Sequence, residues 1–213
     1  MTEDCLFCSY ASWTQESPLE NRVLYESNHY YVKPALGSFV PGYCLVIPKR
    51  HVLSISCLTR TELRDLDILR RDLVDFLSGA LDSNVICFEH GPCDGTFRAG
   101  ACYEHAHLHV LPWRDDPSSR LPLLKFAAQR DITELGCADC SYLYYEYWTA
   151  AKSGPVLRKS IFAPIAAHLP SQYMRRKLSE SLNLGICSWD WALFPFYENI
   201  ELTMTALSPL RCK

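Results

Sequence analysis

Residues 105–112 read His105-Ala106-His107-Leu108-His109-Val110-Leu111-Pro112. Apolar and histidine residues alternate, and Pro112 stops the run. Strict alternation over this length predicts a β-strand, in which every second side chain shares a face. His105, His107 and His109 then point to one side, and Ala106, Leu108 and Val110 to a core. The chain has only seven histidines, so three aligned on one face are a poor fit to ordinary packing. Two chemical readings remain. Three neutral imidazoles can hold a metal with one position open. Alternatively, a histidine attacks phosphorus, since a ring with an unperturbed pKa of about 6.5 is available neutral near pH 7 and a flanking ring can supply a proton. Spacing alone leaves both open.

Working outward, residues 84–89 (NVICFE) and Gly42–Pro48 (GYCLVIP) read as buried strands, and residues 22–33 (RVLYESNHYYVK) as a strand pair turning near an Asn. Residues 60–81 are the clearest helix. Thr59 and Glu62 have capping-box spacing, and Leu63, Leu66, Leu69, Leu73 and Phe76 recur at helical intervals. Beyond residue 114 the spacing predicts a short helix over 121–129. A hairpin of 141–149 and 155–163 turns at Lys152-Ser153-Gly154. Two helices follow, one over 171–183 with Ser171 as a cap and one over 198–206. Strands and helices in separate runs indicate an α+β fold.

Composition narrows the function. At 213 residues, 48% apolar and 21% charged, the chain has globular proportions. A net charge of −3 argues against long nucleic-acid partners but not against a single nucleotide. No stretch suits a membrane span, and the acidic start MTEDCLFC lacks a signal-peptide core, so a cytoplasmic location is expected. Eleven irregularly spaced cysteines fit reduced thiols with a metal site better than a disulfide framework. Cys5-x-x-Cys8 is a pair able to supply two thiolates; Cys137-x-x-Cys140 has the same spacing but no further ligands nearby, and is read as incidental.

The run from Glu104 to Pro112 resembles the His-φ-His-φ-His-φ-φ signature of the histidine-triad (HIT) superfamily. Residues 40–51 (VPGYCLVIPKRH) resemble its upstream strand, residues 88–95 (FEHGPCDG) the stretch ahead of the triad, and Cys5-x-x-Cys8 the opening of many bacterial members. The resemblance covers about residues 5–116, and Gln172–Arg176 with Trp189-Asp190-Trp191 is similar to an extended HIT-like group. It implies a HIT-like antiparallel sheet with a long helix in residues 1–116. Residues 117–213 are then an α+β C-terminal extension packed on that domain.

The resemblance also implies a chemistry. His107 would attack the α-phosphorus of a nucleotide or nucleotide conjugate and form a nucleotidyl-histidine, with His109 contacting phosphate and assisting the leaving group. Glu89, His90, Gly91 and Cys102 would join His109 in binding nucleotide or phosphate. A structural zinc would sit on Cys5, Cys8, His51 and His105, and the protein would be a homodimer. Histidine rather than glutamine at position 109 favours a hydrolase over a hexose uridylyltransferase. A nucleotidyltransferase or phosphorylase and a non-catalytic nucleotide-binding module are the alternatives. There are departures from the family pattern: Ala101 and Cys102 stand where hydrolase members carry Gln and then Ser or Thr. Glu89 or His90 replaces an upstream Asn or Gln, and Tyr43 a histidine. The loop from Gly91 to Gly100 is a candidate phosphate cradle. Lys49-Arg50 and Arg175-Arg176 read as solvated surface, and Trp189 and Trp191 as packing residues.

Overall fold

A computed structural model describes residues 5–14, 16–93, 100–101, 105–124, 127–136, 138–165 and 169–212. Its centre is one antiparallel sheet. The strands are β1 (Tyr25–Glu26), β2 (Tyr30–Pro34), β3 (Cys44–Pro48), β4 (Val85–Gly91), β5 (Leu108–Pro112), β6 (Ala128–Gln129), β7 (Tyr142–Thr149) and β8 (Val156–Pro164), in the order β1-β2-β3-β5-β4-β7-β8-β6. β7 pairs with β4 from Val85↔Trp148 to Gly91↔Tyr142, so the region after residue 116 continues the same sheet. No helix among the described residues is long and apolar enough to cross a membrane.

Helix α1 (Arg60–Leu81) covers one face. Thr59 Oγ1 accepts from the Glu62 amide, and Glu62 Oε2 accepts from the Thr59 amide, so the capping box is complete. Leu63, Leu66, Leu73, Val74 and Leu77 are buried against Val32, Val46, Leu108, Val110 and Cys87 of the sheet. Each such side chain contributes about 1.5–3 kcal/mol of burial. Arg70 lies on the same helix, fully buried, and pairs with Glu146 of β7 and with Asp67.

The opposite face carries Tyr31, Leu45, Ile47, Ile86, Phe88 and Tyr145, and is closed by helix α2 (Tyr173–Ser181) through Met174 and Leu178. Helix α3 (Tyr197–Ala206), followed by a 3-10 turn over Ser208–Cys212, ties back to the turn before β3: the Gly42 amide donates to Thr203 Oγ1 at 2.8 Å, and Asn199 Nδ2 to the Ser38 carbonyl at 2.7 Å.

Three local expectations change. The helix over 121–129 is replaced by short 3-10 turns, Pro117–Arg120 and Pro122–Leu124, and then by β6. Ser171 does not cap α2; the N-cap is Gln172, left-handed at φ 60° and without a side-chain cap. The triad strand starts later than its alternation predicts. β5 begins at Leu108, and His105 and His107 sit in the approach to it, where the Ala106 amide donates to the Val52 carbonyl at 2.7 Å.

Candidate active site and metal cluster

The N-terminal segment forms the first half of the site. The Cys8 amide bonds the Cys5 carbonyl at 3.0 Å, a turn that brings the two thiols together. The following 3-10 helix, Leu6–Ser12, is pinned to β2 because Tyr31 Oη donates to the Phe7 carbonyl at 2.8 Å. Cys5 Sγ lies 3.3 Å from His105 Nδ1, Cys8 Sγ 3.3 Å from His51 Nδ1, and Cys8 Sγ 3.6 Å from His105 Nδ1. All four ligand atoms fall within 4.8 Å of one another. Zinc bonded at about 2.3 Å to sulfur and about 2.0 Å to nitrogen in a tetrahedron needs edges of this size. His105 Nε2 lies 2.8 Å from the Pro48 carbonyl, the outer hydrogen bond that turns Nδ1 toward the thiols. Cys5, Cys8, His51 and His105 therefore fit a metal ion.

His107 follows directly. Its Nδ1 lies 2.8 Å from the His105 carbonyl, so the ring nitrogen that carries hydrogen there donates to that oxygen. Its ring meets Phe7 edge-on at 5.4 Å and His109 at 4.8 Å. His109 stacks on Phe88 of β4 at 4.3 Å, and its Nδ1 is 2.7 Å from Tyr43 Oη. Tyr43, at the histidine position of the family pattern, thus takes up a contact to the triad. Burial holds all three triad rings toward the neutral form. His105 and His107 are each lowered to about 4, and His109 is held well below the ordinary value, with neighbouring rings adding to the effect.

A cavity of about 130 Å³ opens over His107 and His109, walled by Phe7, Lys33, Arg175 and Trp191. A wider groove of about 550 Å³ along Pro112–Arg120 contains no histidine among the described residues, and chemistry decides for the smaller one. Arg175 is not the solvated residue its sequence context suggests. It is 3% exposed, donates through Nη2 to the Gly37 carbonyl at 2.7 Å, and packs over Phe39 and Tyr43 at 5.1 and 5.5 Å. Gly37 must be glycine: its φ is +72°, and a Cβ there would lie 2.4 Å from Arg175 Nη2 and 2.6 Å from Trp191 Cβ. Arg176, by contrast, stacks on Trp189 at 3.3 Å.

The other phosphate-side residues divide. His90 sits beside the triad, 6.5 Å from the His109 ring, but its Nε2 accepts from the Met174 amide at 3.2 Å and so serves the uncapped end of α2. Burial lowers it to about 3, consistent with that acceptor role. Glu89 faces the α1 side, where it accepts from the Ile55 amide at 2.7 Å and from Tyr142 Oη at 2.6 Å. Burial raises its carboxyl to about 7. Gly91 leaves room for the Tyr142 ring, which a Cβ would meet at 2.1 Å. Glu89 and Gly91 thus hold the sheet and do not line the cavity. Cys102, Glu104, residues 94–99 of the loop and Cys137 lie outside the described residues. Lys49 and Arg50 are paired with Glu26 and Glu62. Sequence reasoning missed Lys33, Arg175 and Trp191. For Lys33 the signal was present, since alternation along β2 puts it on the face of Tyr31.

With the geometry in place, comparison with known proteins is informative. Residues 16–116 match the HIT domain profile. The nitrilase and fragile histidine triad fusion protein NitFhit of Caenorhabditis elegans is 31% identical over 96 residues, 44% of this chain; the chain spans 21% of that relative's length. A zinc-bound histidine triad family protein from Mycobacterium smegmatis shares 24% identity over 62% of this chain and 88% of its own, with a TM-score of 0.41. A HIT family hydrolase from Clostridium thermocellum shares 22% over 54% and 95%, with a TM-score of 0.42. The three histidines that one cavity and one metal cluster divide between them fall inside residues 16–116, the span that matches the HIT domain.

Proposed function

We propose that the protein cleaves a phosphoanhydride or phosphoramidate bond at a nucleoside α-phosphate, with His107 as the nucleophile. One observation carries the reading. The His107 ring is fixed through Nδ1 to the His105 carbonyl, which leaves Nε2 as a neutral lone pair in the wall of the cavity. In the first step that lone pair forms a P–N bond, and the bond to the leaving group breaks with its electron pair. With Tyr43 Oη–H donating to Nδ1 of His109, His109 Nε2–H donates a hydrogen bond to the departing atom, which takes its proton from water. Water then attacks phosphorus, the P–N bond breaks with its electron pair returning to His107 Nε2, and the proton of the attacking water passes to solvent. Replacing His107 by Asn should reduce turnover by at least about 10³-fold while the thermal melt is unchanged; full activity in that variant removes His107 from the mechanism.

In this reading Cys5, Cys8, His51 and His105 hold a structural zinc ion, which supplies no chemistry but fixes the backbone that orients His107. A Cys8→Ser variant, or chelation, should release one zinc per chain and lower the melting temperature; metal analysis that finds no zinc in the native protein would contradict this. Arg175 and Trp191 belong to the C-terminal extension, residues 117–213, and wall the cavity over the HIT domain. That placement favours one second reading, in which an acceptor other than water releases the nucleotide. Single-turnover assays with added phosphate separate the two: transfer predicts a nucleoside diphosphate, hydrolysis only the monophosphate. The reading includes a homodimer joined by packed faces, since both sheet edges, β1 and β6, are two residues long. Analytical ultracentrifugation tests it, and a monomer at micromolar concentration would overturn it.

A further inference from the structure

The cavity holds two charged side chains that the fold itself does not use. Along β2, Tyr30 and Val32 face α1, whereas Tyr31 lies on the triad side. The register Lys33↔Leu45 and Leu45↔His109 sets Lys33 in the same cross-sheet row as His109. Two strand spacings separate them, about 10 Å. Lys33 is 3% exposed. Among the described residues its ammonium makes no hydrogen bond or ion pair; it lies over the rings of Trp13 at 5.1 Å and Phe7 at 5.7 Å. Glu20, in the 3-10 turn Leu19–Asn21, lines the same cavity, and its Oε2 is buried without a hydrogen-bond partner. The two groups feel each other's charge but stand farther apart than the 4.0 Å of an ion pair.

Buried charges left apart are costly unless something else completes them. An ammonium and a carboxylate facing one cavity across a gap fit a ligand edge that accepts from one and donates to the other. A phosphate would satisfy Lys33 alone, and the Glu20 carboxylate repels it. With phosphorus at His107, the far end of a nucleotide is its base. Guanine differs from adenine, cytosine and uracil in placing two adjacent N–H donors beside a keto oxygen on one edge. At about 130 Å³ the cavity is smaller than the roughly 150 Å³ that takes up a benzene ring, so it admits the hydrogen-bonding edge of a base and leaves the rest of the ring system and the ribose in its open mouth. Phe7 and Trp191 supply aromatic walls.

We propose that this end of the cavity reads the Watson–Crick edge of guanine, with Glu20 accepting from N1–H and N2–H and Lys33 donating to O6. The inference rests on the nucleotide reading above. Its test uses the full-length, zinc-replete protein. GMP and AMP binding is measured by calorimetry, and turnover separately with guanosine and adenosine 5′-phosphoramidates. Guanine should be favoured by about tenfold or more, since a mismatched base leaves a buried charge unpaired. Glu20→Gln and Lys33→Met should each bring the ratio of the two affinities to within about threefold, with melts confirming the fold. Equal affinity for GMP and AMP in the native protein, or a guanine preference that survives both substitutions, overturns the assignment. Guanine-selective binding without any turnover sinks the catalytic reading but supports this one, and turnover without base preference does the reverse.

Discussion

Two buried cations lie on opposite faces of the same sheet, and their surroundings could hardly differ more. Arg70, on the α1 face, meets Glu146 and Asp67, and Glu146 also accepts from Tyr144 Oη and from Trp148 Nε1 at 2.8 Å. Lys33, on the triad face, meets aromatic rings and an open cavity. The first cation is neutralised by two carboxylates of the chain itself, with only its Nε lacking a partner; the second faces no carboxylate at ion-pair distance among the described residues. A buried cation held by carboxylates of its own chain serves the fold, and one left without them marks where something binds.

Substitution separates the two. Arg70→Met leaves Glu146 buried without its cation and should cost about 3–5 kcal/mol in urea unfolding. The double variant Arg70→Met/Glu146→Gln should recover part of that loss, because the stranded charge goes too. Lys33→Met should cost nothing at pH 7; a loss as large as that of Arg70→Met would mean that Lys33 is a structural residue.

A pH series sharpens the contrast. Burial lowers Lys33 from 10.5 to about 8. The folded state therefore sheds this proton before the unfolded state does. Between pH 8 and 10.5 the unfolded chain binds more protons, so stability attributable to Lys33 rises with pH, by at most about 3 kcal/mol. The difference between the native protein and Lys33→Met should follow that rise in denaturant midpoints. A flat difference across the window would place the ammonium in water. The smallest effect is expected far from both cations, where Thr59→Ala should cost about 1 kcal/mol through the lost α1 cap, without altering the Lys33 pH dependence.

What the sequence made legible was whatever depends on short spacing. The capping box and leucine period of residues 60–81 predicted α1 to the residue, and the turn at Lys152-Ser153-Gly154 joins β7 and β8 as expected. Alternation at 105, 107 and 109 put three rings on one side, and resemblance added Cys5, Cys8 and His51 to His105, a quartet that the fold brings together. Long-range closure was illegible. Nothing near Arg175 in sequence says that it will lie on Gly37, 138 positions away. The surroundings of Glu89 and Gly91 were equally hidden, since the Ile55 amide and the Tyr142 ring that meet them come from distant parts of the chain. Lys33 was not singled out within residues 22–33, because burial without an ion-pair partner is a property of the cavity rather than of the segment.

Everything proposed for the reaction turns on one bond, between residue 107 and phosphorus. Intact-protein mass spectrometry tests it most directly: the protein is mixed with a nucleoside 5′-phosphoramidate and denatured within one turnover. A mass gain of one nucleoside monophosphoryl group should map to His107 and be absent in His107→Asn. Product formation with no adduct at any time, or an adduct that persists in His107→Asn, would contradict it.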